Sequence, residues 1–424
     1  MQLNPLQSLT PNKASSLSLS IHSHYKNSKK KNTPQILNPQ KKKKEKKTAG
    51  KMQATAKRTE TQASVGEKKV KDLMGDKKRL VEVPYTASLA QTMNVLVANH
   101  VVAVPVAAPP GHWIGAGGSM IMESDKRTGV LRKHYIGMVT MLDILAHIAG
   151  DDHDGDGGRD DLIDLDRKMA VPVSNIIGHN VEGLSLWTLN PNTSILDCME
   201  IFSKGIHRAL VPVDGQVEEA VGVELVESAS SYRMLTQMDV LRFLRGKVVE
   251  IEGILRQSVK EMEGMVNENV MAITDKTSVI EAIKCMKSSF LNAVPIVGST
   301  QLGVDQQSHA QLFTGRGKKL VGTFSATDLR GCHLATLQSW LHQTALEFTD
   351  LVRKSPLLEG AGVGVRELVT CRPESSLEEV MEKVLSKHVH RIWVTDEHGL
   401  LLGLISLSDM IRVIRLSLLS KIQT

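Results

Sequence analysis

Four times along the chain a serine opens an apolar stripe of helical period. The clearest case is Leu377, Val380, Met381, Val384 and Leu385, whose spacing predicts one buried face of an α-helix. Ser376 precedes that helix and Glu379 follows three residues later. This is a capping box, in which the hydroxyl accepts an orphan N–H and the acid reaches back to the serine. The same opening recurs at Ser88 with Gln91, Ser194 with Asp197 and Ser278 with Glu281. A short apolar strand comes after each helix, marked by Pro105, Pro212, Pro295 and Trp393. A second strand then ends on a hydroxyl residue three before an aspartate: Thr140 with Asp143, Thr236 with Asp239, Ser325 with Asp328, Ser406 with Asp409. Gly137, Gly322 and Gly403 lie just upstream in three of these, and Arg233 takes that place in the other. From Val70 onward the chain therefore reads as four β-α-β-β-α units, an α/β (α+β) fold built by repetition.

The units are expected at 70–148, 173–248, 256–332 and 365–418, preceded by a Lys/Ser-rich tail over 1–66. Composition sharpens this division. The chain carries +6 overall, yet residues 1–60 alone carry +12, so the folded remainder is mildly acidic. A tail rich in Ser, Asn, Lys and Thr with no apolar period is expected to be disordered. Its KKKKEKK run at 41–47 reads as a nuclear-import patch, a polyanion-binding patch or a plain solvated extension. The acid-free first 44 residues also leave a plastid transit peptide open, and Met52 is an alternative start. The expected compartment is cytoplasmic or nuclear. Aromatic residues make up 3% of the chain, too few for a base-stacking surface, which argues against nucleic acid as partner. No apolar run approaches the length of a membrane span. The cysteines, Cys198, Cys285, Cys332 and Cys371, are far apart and fit neither a zinc ribbon nor a disulfide scaffold.

The repeat resembles the CBS (cystathionine-β-synthase) motif, with its VPV-type strand and its glycine-to-[ST]xxD ending. The match is best in HVHRIWVTDEHGLLLGLISLSDMI (388–411), followed by GIHRALVPVD (205–214). Four such repeats with no attached catalytic domain look like the γ subunit of AMP-activated protein kinase, and closest to the plant γ-like subunits of the sucrose-non-fermenting-related kinase. The resemblance implies two CBS-pair modules. It implies a non-catalytic regulatory subunit that senses AMP, ADP or ATP in clefts and joins a catalytic α and a scaffold β subunit. The alternative is a CBS scaffold or interaction protein that no longer binds nucleotide.

In the resembled family the [ST]xxD aspartate takes the ribose hydroxyls and the basic residues before the VPV strand take phosphate. That carries candidate roles to Thr140, Asp143, Thr236, Asp239, Ser325, Asp328, Ser406 and Asp409, and to the pairs His207–Arg208 and His390–Arg391. The chemistry is sound, since a carboxylate accepts two hydroxyls and a guanidinium fork matches phosphate oxygens. The same residues also have plain structural readings, the acids as helix caps and the basic pairs as complements to helix C-termini. Pairing two by two would set Asp143 beside His207 and Arg208, and Asp328 beside His390 and Arg391. Repeats one and three, reading NHVVAVPV and SSFLNAVPI, lack the basic residue, so the number of occupied clefts stays open at zero to two. DDHDGDGGRDDL (151–162) imitates a calcium loop, but Ile163 stands where a bidentate glutamate is needed, and it reads as a linker. GRGKK (315–319) lacks the phosphate-loop spacing and reads as an insertion. HLATLQSWLHQTALEFTDLV (333–352) shows a helical stripe expected to pack inside the second module. No catalytic or metal-binding residues are expected.

Overall fold

A computed structural model describes residues 64–109, 133–150, 164–178, 186–213, 231–299, 310–354 and 368–423. The chain divides into units 1–62 and 63–424, and everything described lies in the second. The tail thus falls outside the described residues except for Ser64, Val65 and Gly66, and these three correct its boundary. Val65 is 1% exposed, and its N–H donates to Glu250 Oε2 at 2.8 Å. An apolar residue buried with its backbone satisfied belongs to the core. The calcium-loop imitation at 151–162 also lies outside the described residues.

Repeat one comprises β1 (Val83–Pro84), α1 (Leu89–Ala98), β2 (Ala103–Ala107), β3 (Tyr135–Thr140) and α2 (Met141–Ala149). A short helix, α3 (Leu165–Met169), precedes repeat two, which comprises β4 (Trp187–Thr188), α4 (Ile195–Ser203), β5 (Arg208–Pro212), β6 (Tyr232–Thr236) and α5 (Gln237–Arg245). After α6 (Val248–Leu255) comes repeat three, with β7 (Met271–Thr274), α7 (Val279–Ser288), β8 (Ala293–Val297), β9 (Phe313–Thr314) and β10 (Leu320–Ser325). Two helices follow, α8 (Leu334–Leu341) and α9 (Ala345–Lys354). Repeat four holds β11 (Thr370–Cys371), α10 (Leu377–Lys387), β12 (Arg391–Thr395), β13 (Leu401–Ser406) and the long α11 (Leu407–Gln423). In every repeat the first strand pairs parallel with the second, which pairs antiparallel with the last; in repeat three β9 adds antiparallel to the free edge of β7.

Ser88, Ser194, Ser278 and Ser376 each accept the N–H three residues on, at 3.1–3.3 Å, and the return bond that completes the box is made at Ser88 by Gln91 and at Ser278 by Glu281. Each capped helix then ends on a residue in the left-handed region: His100 (φ 53), Gly205 (φ 92), Phe290 (φ 53) and His388 (φ 51). That reversal feeds the chain straight into the second strand.

Repeat three departs from the pattern. Asp328 opens a four-residue 3-10 turn (Asp328–Gly331) in place of an α-helix, because Gly331 and the extended Cys332 stop propagation. The 333–352 stripe is two helices, α8 and α9, broken at His342–Thr344. Leu337, Leu341, Ala345, Phe348 and Val352 are buried in the core as the stripe requires. The GRGKK insertion spans repeats three and four: Gly317 N donates to Leu401 O at 2.7 Å, and Arg316 pairs with Glu268.

Two large apolar cores run across the repeats, one shared by repeats one and three and the other by repeats two and four. Smaller clusters join sheet faces, one around Tyr135 and Tyr232 in repeats one and two, another around Leu320, Trp393 and Leu401 in repeats three and four. The segments leading into the repeats are exchanged. Val70, ahead of repeat one, docks on repeat two, where its N–H donates to Thr193 O at 2.9 Å. Val173, expected at the head of repeat two, donates to Ala87 O at 2.7 Å and lies in the core of repeats one and three. In the second half Val259 donates to Ser375 O at 3.0 Å, while Val279 of repeat three takes Gln343 O at 2.8 Å. Isolated bridges mark all four crossings at the capping serines: Lys69 with Ser194, Pro172 with Ser88, Ser258 with Ser376 and Thr344 with Ser278. The repeat boundaries at 70, 173 and 256 therefore cut through docking segments, because an apolar strip follows whichever helix start offers it a groove.

Candidate functional site

Two left-handed turns place the basic pairs. After Gly205 and His388 the backbone reverses, and two residues later His207–Arg208 and His390–Arg391 stand at the heads of β5 and β12. Both pairs open onto a cavity of about 310 Å³ where all four repeats meet. Every repeat also contributes its strand-end hydroxyl: Thr140, Thr236, Ser325 and Ser406. Arg330 completes its cationic lining, His100 also borders it, and no carboxylate is among its described lining residues.

Such crowding of like charge shows in the titration of the group. Burial, then Arg391, pushes His207 down to about 4. Burial, then Arg208 and Arg391, pushes His390 down to about 3. Burial lowers Arg208 to about 10, with Arg330 adding and Asp143 opposing. Arg391 falls to about 10 by burial, opposed by Asp328. The two imidazoles are therefore neutral at pH 7, in a site whose electrostatics favour an anion.

A second cavity of about 300 Å³ adjoins the first and shares Ser325, Thr327, Arg330, His390 and Arg391 with it. Asp328 stands on its repeat-three wall, and His388, His390, Arg391 and Lys387 on its repeat-four wall. Arg242 reaches in from repeat two, its Nη2 3.3 Å from His388 Nδ1. This cleft combines a carboxylate, a hydroxyl and a basic pair in one open space.

The four aspartates are not equivalent. Each accepts the backbone N–H of its hydroxyl partner through Oδ2, at 2.7 Å for Asp143, 2.8 Å for Asp239 and Asp328, and 2.9 Å for Asp409. Beyond that shared cap they diverge. Asp143 and Asp328 are 6% and 7% exposed and face Arg208 and Arg391 electrostatically. Asp143, however, borders a gap of about 10 Å³, lined on its far side by Met286, Lys287 and Phe290 of repeat three. Asp239 pairs with Lys77 and, through Oδ1, with Arg242 Nη1 at 3.3 Å. Asp409 Oδ1 takes Arg412 Nη2 at 3.2 Å, and the same nitrogen donates to Gly264 O.

The structure thus gathers Thr140, His207, Arg208, Thr236, Ser325, His390, Arg391 and Ser406 around one cavity and Asp328 beside them. Asp143 it sets at a narrow margin, and Asp239 and Asp409 it satisfies internally. Arg330, Arg242, Lys387 and His388 were missed by sequence reasoning. One signal was available: arginine follows three residues after the aspartate in repeats two and four (Asp239–Arg242, Asp409–Arg412) but not in one and three. At that helical spacing a cation faces the acid.

Known proteins match this architecture. A family model for the CBS domain matches residues 362–416, the fourth repeat. The SNF1-related protein kinase regulatory subunit gamma-like PV42a of Arabidopsis thaliana is 56% identical over 351 residues, covering 82% of this chain and 95% of its own. The chain belongs to the γ-like regulatory subunits of SNF1-related protein kinases. PV42b of the same plant is also 56% identical, over 353 residues, 83% of this chain and 96% of its own. The 5′-AMP-activated protein kinase subunit gamma of Kluyveromyces lactis is 24% identical over 79% of this chain and 85% of its own. Among solved structures, protein MJ1225 of Methanocaldococcus jannaschii shares the fold at a TM-score of 0.51 and 17% identity, covering 81% of this chain and 99% of that one. Among the described residues of this γ-like subunit, no helix is long and apolar enough to cross a membrane and no cluster of His, Cys, Asp and Glu could hold a metal.

Proposed function

We propose that this γ-like subunit is a non-catalytic sensor that binds an adenine nucleotide in the cleft between repeats three and four and joins a catalytic α and a scaffold β subunit. One observation carries the reading: Asp328 on one wall of a 300 Å³ cleft, His390 and Arg391 on the other, with the cationic cavity directly behind. Asp328 would accept the ribose hydroxyls, Arg391 would grip phosphate, and a longer phosphate chain would run toward Arg208 and Arg330. Regulation then follows from linkage. A nucleotide that binds one arrangement of the kinase complex more tightly shifts the population toward it.

Isothermal titration of the full chain with AMP, ADP and ATP tests this. Binding is expected, and Arg391→Ala should weaken it about ten- to a hundredfold, the worth of a charge-assisted contact of roughly 1.5–3 kcal/mol. A folded chain that takes up none of the three overturns sensing. The scaffold reading would then stand, favoured by the internal pairing of Asp239 and Asp409 and the narrow gap at Asp143.

A further inference from the structure

Arg233 occupies the position where the other three repeats carry glycine, and its surroundings give that departure a purpose. In repeat four the glycine is forced. A Cβ on Gly403 would lie 2.5 Å from Val266 Cγ1 and 2.7 Å from Asn267 O, because the crossing segment lies directly on β13. Asn267 and Leu404 exchange both backbone hydrogen bonds there, each at 2.9 Å. Val70 and Val259 are the matching buried anchors of the two crossing segments. Seven residues on from each stand Lys77 and Val266. In repeat two the arginine holds the crossing segment by a different contact: Arg233 Nε donates to Lys77 O at 3.0 Å.

The Lys77 side chain then reaches Asp239 Oδ2, with 24% and 11% of the two side chains exposed. The same oxygen accepts Thr236 N at 2.8 Å and Thr236 Oγ1 at 2.6 Å, and Oδ1 accepts Arg242 at 3.3 Å. A carboxylate offers about four lone-pair sites, so little capacity remains for a diol. Upstream the segment is fixed: Val70 is 0% exposed, and Lys71 N donates to Pro191 O at 2.8 Å.

Resting on the reading of the [ST]xxD carboxylates as ribose acceptors, we propose that Lys77 is a built-in occupant of the acceptor position on Asp239. Its ammonium takes the acceptor that a ribonucleotide would need, and Arg233 positions it. The arginine in place of glycine and the lysine in place of valine are two halves of one plug. Removing the ammonium leaves Asp239 paired only with its cap and an exposed arginine, and so frees that acceptor position for a ligand.

Two measurements on the full chain test this. Titration with AMP should count one more site in Lys77→Ala than in the wild type, with Lys77→Gln as the milder variant should alanine unfold the chain. Adding Asp239→Asn to Lys77→Ala should remove the extra site, whereas Asp239→Asn alone should leave the wild-type number unchanged. Amine acetylation read by mass spectrometry should modify Lys77 several-fold more slowly in the wild type than in Asp239→Asn or Arg233→Ala. The plug is overturned if Lys77→Ala and Lys77→Gln gain no site while the wild type binds AMP. It is equally overturned if Asp239→Asn alone loses one. Should no form bind AMP, nucleotide sensing fails. Acetylation then judges the plug alone: equal rates at Lys77 in the wild type and Asp239→Asn sink it, and slower labelling of the wild type upholds it.

Discussion

Asp328 accepts the Ser325 N–H through one oxygen and lies electrostatically opposite Arg391, so under the proposed function one side chain would both cap and bind ligand. Asp328→Ala should therefore show both losses at once. Stability should fall by about 1 kcal/mol, the worth of a cap. Affinity for AMP should also fall, and by less for the 2′-deoxy analogue, when melting temperature and titration are read on the same sample. The histidines give a second test. His207 and His390 titrate in the folded chain at about 4 and about 3, below the ~6.5 of an unfolded chain. With folded values depressed, the unfolded chain binds protons first as pH drops below about 6.5. Stability should then decline from pH 6.5 toward pH 4, by on the order of 1 kcal/mol for His207 after allowing for cavity water. A bound phosphate would favour the protonated rings, so AMP should bind more tightly at pH 6 than at pH 8 and take up protons on binding. Titration in buffers of different ionisation enthalpy reads that uptake. The aspartates could be found from their recurring spacing, and the basic pairs from the family resemblance. Arg330 and Lys77 could not, since each reaches its place through contacts between repeats.

At the scale of elements, the first helices and the three strands common to every repeat were legible because capping serines, apolar periods and strand prolines all pointed the same way, whereas β9 of repeat three was not. The helix after Asp328 was not, because its [ST]xxD opening promised what Gly331, three residues after the aspartate, withdrew. Helix ends offer a separate test. Phe290 is 63% exposed and sits at φ 53, a conformation that costs a residue with a Cβ roughly 1–2 kcal/mol. Phe290→Gly should stabilise the chain by up to about 1 kcal/mol, visible as a rise in melting temperature. It should also widen the gap beside Asp143, which Phe290 helps to line.

The whole molecule is held by cores that cross between halves, so repeats one and three should unfold together with two and four. Calorimetry is expected to show one transition whose calorimetric and van't Hoff enthalpies agree. Val70→Asp should lower that transition by roughly 3 kcal/mol or more, by burying an unpaired charge. Hydrogen exchange should locate the damage in α4 of repeat two, although residue 70 precedes repeat one. The sequence pattern gave no hint of this, because a periodic signal counts repeats but does not say which helix start a connecting strip will find.

That exchange of leading segments defines the unit that repeats. A single repeat lends its entry strip to a neighbour and borrows another, so it does not close its own core. Odd repeats resemble odd and even resemble even. Repeats two and four share the His-Arg pair and the arginine three after the aspartate, and repeats one and three lack both. Val70 and Val259 dock on their even repeats in the same way. The repeating unit is accordingly a pair. Lys77 and Arg233 stand where the second pair has Val266 and Gly403, and there the two pairs part company.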